Sequence, residues 1–173
     1  MFSRAGRALT LNRTPFTEAF FDSDSAADAA ILVSFVSVAT YVGWLLTGIF
    51  GSFGLLDLFS VVISGVVSWL ILGFATWFVA TRLFNGSGRP QTMIALQGLA
   101  VLPLLLEIFG QIAGSVGLVW YLVILVVATR EATDLDTKNA AVSVLIGFAI
   151  AALFRALIGI PFAIFGSLFG GLF

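Results

Sequence analysis

The sequence predicts an all-α integral membrane protein of about five transmembrane helices, with a cytoplasmic N-terminus and the C-terminus outside. Hydrophobic residues make up 60% of the 173 residues and charged residues only 10%, whereas soluble domains contain about a quarter charged residues. The apolar residues form long runs, and apart from Arg155 every Lys and Arg falls outside those runs. Lipid must therefore solvate most of this single-domain chain.

Two uncharged runs predict the first two spans directly. A transmembrane helix needs about 20 mostly apolar residues because the hydrocarbon core is about 30 Å thick. Residues 29–50 and 58–81 contain no charged side chain, and the stretch between them is short and glycine-rich. These two runs therefore predict a helical hairpin. The strands of a membrane β-barrel would alternate apolar and polar residues, and these runs do not.

The next apolar stretch predicts two spans and a turn. Residues 93–129 carry one charge and are too long for a single span. They are predicted to divide into spans at about 93–109 and 115–129. Glycine adopts backbone angles that other residues avoid, and the small residues cluster where the turn is expected: Gly110, Gly114, Ser115 and Gly117.

The last span is predicted at about residues 139–160. Pro161 is expected to end it, because proline lacks a backbone N–H and clashes with the preceding helical turn. Residues 162–173 would then form an apolar, glycine-rich tail at the membrane interface, or a sixth partial span.

The basic residues predict the orientation, because cytoplasmic loops near spans are enriched in Lys and Arg. They precede the first span, join the second to the third and join the fourth to the fifth, and the alternate loops have none: Arg4, Arg7, Arg13, Arg82, Arg89, Arg130 and Lys138. This pattern places the N-terminus in the cytoplasm and favours an odd number of spans.

Composition excludes several classes of function. The chain has no Cys and no His, so it lacks disulfides, the usual metal ligands and any nucleophile activated by imidazole. Its net charge of −1 and the absence of a basic cluster argue against a nucleic-acid partner. The sequence therefore predicts no catalytic residue, no metal site and no cofactor.

The N-terminal segment, residues 1–28, is predicted to be cytoplasmic and amphipathic. Thr14 and Pro15 fit the start of a helix, with Thr as the N-cap and Pro in the first turn. Phe16, Phe20 and Phe21 follow at helical spacing and are interpreted as an interfacial anchor on the membrane surface. The alternative is a docking surface for a cytoplasmic partner.

Small residues recur every four positions on two predicted spans. Ser60, Ser64 and Ser68 form one row, and the other consists of Ser143, Gly147 and Ala151. Small residues at this spacing let helix backbones approach closely. The rows therefore predict helix packing, either within one protomer or against another membrane subunit.

Glu107 and Arg155 are the two charged residues inside the predicted spans. Charges in lipid are costly unless they are paired or face water. Counted from the cytoplasmic ends of their helices, the two residues lie at similar depths of about 21 Å and about 24 Å, and Arg155 extends the row of Ala151. We therefore expect an intramembrane ion pair. The alternatives are separate anchors at the headgroup boundary, or a transport pathway.

Several short segments resemble the Yip-type (Ypt/Rab-interacting) family of five-span membrane proteins, in its bacterial branch. The segments occur in the order of the family and cover nearly the whole chain: residues 13–15 with Phe20 and Phe21, residues 89–92, residues 102–104, Trp120 with Tyr121, and residues 129–131 with residues 138–140. The resemblance implies the five-span fold and an adaptor or membrane-organising role.

One property of the eukaryotic relatives does not carry over. Those proteins contact small GTPases through a cytoplasmic region with an Asp-Leu-Tyr-Gly-Pro motif, and this sequence lacks the motif. The leading hypothesis is a non-enzymatic protein of the bacterial inner membrane that acts through membrane lipids or other membrane subunits, as an accessory subunit of a larger complex. The competing hypothesis is a small ion or solute transporter that uses Glu107 and Arg155.

Overall fold

The computed structural model describes residues 2–10, 25–46 and 54–169, and it describes the side chains of these residues except 2–5, 155 and 158–169. The described residues form helices and turns without a strand. Five helical segments are long and apolar enough to cross a membrane. The predicted fold class, an all-α polytopic membrane protein, is confirmed.

A short helix precedes the five spans. Helix α1 is Phe2–Leu9, and the spans are α2 (Ser25–Leu46), α3 (Leu55–Phe84), α4 (Pro90–Leu99) continued by a 3₁₀ helix (Leu102–Phe109), α5 (Gln111–Thr133) and α6 (Thr137–Phe169). Helix α1 packs against α4 and the 3₁₀ helix. Within α1, Ala8 is completely buried, and the Trp120 indole donates a hydrogen bond to the Leu9 carbonyl.

The ends of α3 and α5 follow from local backbone chemistry. Each helix is followed by a left-handed residue, Asn85 or Asp134, whose N–H binds a carbonyl of the last helical turn. Asn and Asp tolerate this conformation better than most residues other than glycine. Ser87 then joins the two loops, because its N–H donates to the Thr133 carbonyl at 2.8 Å and its hydroxyl donates to Asp134 at 2.7 Å. Two of the basic loops therefore lie at the same end of the bundle.

The turn between the third and fourth spans is tighter than predicted. Gly110 alone forms it, with φ 102° and ψ 177°, a conformation that is accessible essentially only to glycine. Gly114 was also expected in the turn, but it lies inside α5, together with Ser115 and Gly117 at the start of the predicted fourth span. The two glycines instead allow α5 to approach the 3₁₀ helix closely.

The expectation that Pro161 ends the last helix is wrong. Helix α6 continues through this residue to Phe169. Proline removes one backbone donor, but transmembrane helices tolerate it because neighbouring groups and local adjustments satisfy the freed carbonyl. Residues 162–169 are therefore helical rather than a separate tail.

The core lies where α4 packs among α2, α3 and α5. Close contact is possible because Gly73 and Gly98 have no side chains of their own, which leaves room for Ile94 to lie against Gly73 and for Ala29 to lie against Gly98. Large apolar side chains also remain on the outside of the bundle, as at Phe59, Ile63 and Phe74 of α3. Soluble monomers rarely expose apolar surface on this scale. Lipid is the solvent that suits these outer faces.

Candidate functional site

The 3₁₀ helix organises the candidate site. It has eight residues, whereas most 3₁₀ helices are only about three or four residues long. Because a 3₁₀ helix has three residues per turn, side chains three positions apart lie in a single row. Val101, at its N-cap, Leu104 and Glu107 form such a row, and all three line one internal cavity.

The other two rows of the 3₁₀ helix contact glycines of neighbouring spans. A Cβ atom added to Gly43 of α2 would lie 2.8 Å from the Ile108 Cα atom, and one added to Gly117 of α5 would overlap the Pro103 carbonyl oxygen. In the remaining row, which includes Glu107, a Cβ atom added to Gly114 of α5 would lie 3.2 Å from the Glu107 Cα atom. The 3₁₀ helix is therefore held between α2 and α5, and its third row faces the cavity.

The cavity has a volume of about 480 Å³ and is lined by residues of all five spans. Pockets of about 300–1,000 Å³ are typical of small-molecule sites. Most of the lining is apolar, and the deeper part includes Val33, Leu72 and Phe148. Along α2 the cavity extends from Val33 to Trp44, which is about 16 Å of helix at about 1.5 Å per residue.

The cavity reaches the surface of the bundle inside the membrane-spanning region. Ser64 of α3, Leu118 of α5 and Ala152 of α6 line the cavity and are also exposed. Each of them lies several residues inside its span. In a bilayer that covers these spans, an opening at this depth would meet hydrocarbon.

Trp44, Glu107 and Tyr121 are polar side chains of the cavity lining. The Trp44 indole donates a hydrogen bond of 3.2 Å to Glu107 Oε1, and this is the one side-chain hydrogen bond that the described residues make to the Glu107 carboxylate. Tyr121 is only 5% exposed, and its hydroxyl has no hydrogen-bond partner among the described residues. A carboxylate accepts about four hydrogen bonds, and a phenol both donates and accepts. The cavity therefore offers unused polar capacity.

Two serine hydroxyls of the lining are already bonded to their own helices. Ser37 donates to the Val33 carbonyl at 2.9 Å, and Ser64 donates to the Val61 carbonyl at 3.2 Å. Among the described residues, no group of three or more Asp and Glu side chains could hold a metal ion. The described lining, mostly apolar with a few polar groups, is suited to binding an amphipathic molecule.

The structure describes the side chain of Glu107 but only the helix position of Arg155. Glu107 lies in the cavity wall. Arg155 lies in α6 four residues after Ala151, which also lines the cavity, so helical periodicity puts both residues on one face. The Arg155 side chain is outside the described side chains, and the ion pair stays a prediction.

The predicted packing rows lie partly around the same cavity. Ser64, Ser68 and Ala151 line it, and Ser60 is exposed. Gly147 lies directly against Thr76 of α3, and buried Ser143 donates to the Asn139 carbonyl at 2.8 Å. The predicted interfacial anchor, Phe16, Phe20 and Phe21, lies outside the described residues.

Sequence reasoning missed Trp44 and Tyr121 as site residues. Both look like ordinary interfacial or core aromatics in a chain that is rich in aromatic residues. The sequence did contain a signal for the cavity wall, because Val101, Leu104 and Glu107 are three positions apart beside Pro103. This spacing indicates a single row of side chains only when the segment is known to be a 3₁₀ helix.

Comparison with known protein families identifies a match over most of the chain. The family model described as the Yip1 domain matches residues 15–160. This range includes every segment that lines the cavity. No curated protein and no solved structure matches the chain.

Proposed function

The chain belongs to the Yip1-domain family, and we propose that it is a non-enzymatic protein of the bacterial inner membrane that acts by binding lipid in the intramembrane cavity. Its N-terminus lies in the cytoplasm and its C-terminus outside. Family membership and the five apolar spans fit a membrane protein without catalytic activity.

The observation that carries this proposal is the lateral opening of the cavity. Its mouth, at Ser64, Leu118 and Ala152, faces the bilayer, and its interior is mostly apolar. An apolar cavity of about 480 Å³ that opens into hydrocarbon would be filled by lipid chains, because water has too few polar partners there.

Lipid retention in the purified protein tests the proposal. We expect lipid to remain bound in a fixed ratio after gentle detergent extraction, as measured by native mass spectrometry. Ala152→Trp should block the mouth and remove the bound lipid. Ala149→Trp is the matched control, because Ala149 is exposed on the same helix and does not line the cavity. Equal retention in both variants, or a purified protein without lipid, would overturn the proposal.

We also propose that the protein acts as an accessory subunit of a larger membrane complex. The rows of small residues support this role, because exposed Ser60 belongs to a row that suits close helix contact. Copurification from gently solubilised membranes is expected to recover a stoichiometric membrane partner. A protein that runs alone as a monomer under these conditions would exclude the subunit role without affecting lipid binding.

A second candidate function, solute or ion transport, is favoured by two buried polar residues. Gln97 and Thr76 are completely buried. Both amide atoms of Gln97 and the Thr76 hydroxyl have no hydrogen-bond partner among the described residues. Buried polar groups without partners often indicate an unseen water or ion. Flux in reconstituted vesicles that Glu107→Gln and Arg155→Gln both abolish would support transport, and absence of flux would reject it.

A further inference from the structure

We propose that the cavity selects a lipid whose head group carries a primary ammonium, with the ammonium N–H groups donating to the Glu107 carboxylate. This inference rests on the proposed lipid binding and adds the chemical class of the ligand. It is carried by the position of Glu107, by the unused hydrogen-bonding capacity around it and by the order of polar and apolar groups along the cavity.

The Glu107 carboxylate has hydrogen-bond acceptor sites that a ligand donor could fill. One indole N–H, from Trp44, binds this carboxylate, and the rest of its acceptor sites have no partner among the described residues. A charge in a membrane-spanning segment is costly unless a complementary group meets it. A primary ammonium supplies positive charge and three donors. A quaternary ammonium supplies charge without donors, and an anionic head group is repelled.

The order of groups along the cavity matches the order of groups in a lipid. Trp44 and Glu107 lie near the ends of α2 and of the 3₁₀ helix, at the end of the bundle where Gly110 turns the chain. Val33 and Leu72 lie deeper. A lipid of the adjacent leaflet has its head group toward the membrane surface and its chain toward the midplane. It would therefore place its ammonium at Glu107 and its chain among the deeper apolar residues.

Tyr121 provides a second polar contact at an intermediate depth. The Tyr121 side chain lines the cavity and is only 5% exposed. Its hydroxyl has no hydrogen-bond partner among the described residues. Its hydroxyl can donate to an oxygen of the lipid backbone. This contact is common to all glycerophospholipids, so Tyr121 should affect total lipid binding and Glu107 should affect the choice of head group.

Lipid competition on the full chain tests the inference. The protein is reconstituted in nanodiscs with equal amounts of phosphatidylethanolamine, phosphatidylcholine and phosphatidylglycerol of identical acyl chains, and the retained lipids are quantified by native mass spectrometry. We expect phosphatidylethanolamine to be enriched by about tenfold over the other two lipids, because hydrogen bonds to charged groups are strong enough for such a ratio.

The variants assign the preference to Glu107. Glu107→Gln should reduce the enrichment to near parity, and Glu107→Asp should retain part of it. Asp57→Asn is the matched control, because Asp57 is an exposed carboxylate at the same end of the bundle and does not line the cavity. Tyr121→Phe should lower the retention of all three lipids alike.

The outcomes separate this inference from the proposed function. Equal retention of phosphatidylethanolamine and phosphatidylcholine would overturn the ammonium preference and leave lipid binding intact. A preference that persists in Glu107→Gln would also overturn it. Absence of any retained lipid would overturn the proposed function itself. Thermal unfolding of each variant identifies a protein that has lost its fold, and Glu107→Asp then serves as the deciding variant.

Discussion

The Tyr41 side chain binds the backbone of Gly54, in the loop between α2 and α3. Tyr41 is completely buried near the end of α2. Its hydroxyl accepts a hydrogen bond of 2.9 Å from the Gly54 N–H and donates one of 3.0 Å to the Gly54 carbonyl. Gly54 immediately precedes α3. Near the membrane interior, water is scarce and backbone groups need protein partners. One phenol therefore replaces the two water contacts that this residue would otherwise make.

Loss of this hydroxyl should destabilise the protein. Tyr41→Phe leaves the Gly54 N–H without its partner and leaves the Gly54 carbonyl with the Leu58 N–H alone, and we expect the free energy of unfolding to fall by about 1–3 kcal/mol. Reversible unfolding in mixed micelles measures this change. Tyr121→Phe is the control, because the Tyr121 hydroxyl has no partner among the described residues. In lipid-free micelles its loss should cost less than about 0.5 kcal/mol. Equal losses in the two variants would contradict this role of Tyr41.

The predicted ion pair belongs to the same scale. If Arg155 also contacts Glu107, removal of either partner leaves the other charge unpaired, which typically costs about 3–5 kcal/mol. Glu107→Gln and Arg155→Leu should then each destabilise the protein strongly, and the double variant should lose less than the sum. Additive losses in a double-mutant cycle in lipid-free micelles would exclude the pair. A carboxylate has room for both an arginine and a lipid ammonium.

At the scale of the element, the 3₁₀ helix determines which side chains line the cavity. In a regular α-helix, residues three positions apart diverge around the axis, and Val101, Leu104 and Glu107 would not remain in one row. The tighter winding aligns them along the cavity. It also turns the backbone of Pro103 toward Gly117. The absence of side chains at the facing glycines is therefore a condition for the geometry of the site.

A methyl group at Gly117 should disturb this arrangement. The new Cβ atom in Gly117→Ala would overlap the Pro103 carbonyl oxygen, and both backbones are fixed by their helices. Overpacking of this kind costs about 1–3 kcal/mol. Gly6→Ala is the control, because a Cβ atom there meets no neighbour within 4 Å. That change should be neutral or stabilising by up to about 1 kcal/mol. If thermal unfolding ranks Gly117→Ala with Gly6→Ala, α5 does not need this close approach.

The sequence predicts the five spans better than it predicts the turn between the third and fourth spans, the end of α6 or the cavity. Hydropathy identifies the five spans because lipid demands long apolar runs, and it does so whatever the neighbours are. The turn was harder to locate, because glycine serves both the turn at Gly110 and the close approach at Gly114 and Gly117. Pro161 misled for a related reason, since its effect depends on the surroundings. The cavity depends on five helices at once, and in the sequence its presence was indicated only by the intramembrane charges Glu107 and Arg155 and by the rows of small residues.

At the scale of the whole molecule, two features agree on how the bundle lies in the membrane. The two loops that follow α3 and α5 and the helix ends beside them meet at one end of the bundle, where Ser87 binds Thr133 and Asp134, and they carry the basic residues Arg82, Arg89, Arg130 and Lys138. The opposite end contains Gly54 and Gly110 and, among the described residues of its loops, no Lys or Arg. Apolar side chains cover the outer faces between the two ends. Charge asymmetry along the bundle axis is the property that orients membrane proteins.

Cysteine labelling tests the orientation directly, because the chain contains no Cys and each introduced thiol is the single reactive group. Lys138 lies at the basic end and Gln111 at the opposite end, and both side chains are exposed. With the basic loops in the cytoplasm, Gln111→Cys should react with a membrane-impermeant maleimide in intact cells, and Lys138→Cys should react only after permeabilisation. The physical reason is that loops rich in Lys and Arg are retained on the cytoplasmic side. The reverse pattern would place the Glu107 end of the cavity in the cytoplasmic leaflet and the ligand head group with it. Reaction of both variants in intact cells would mean that the protein inserts in two orientations.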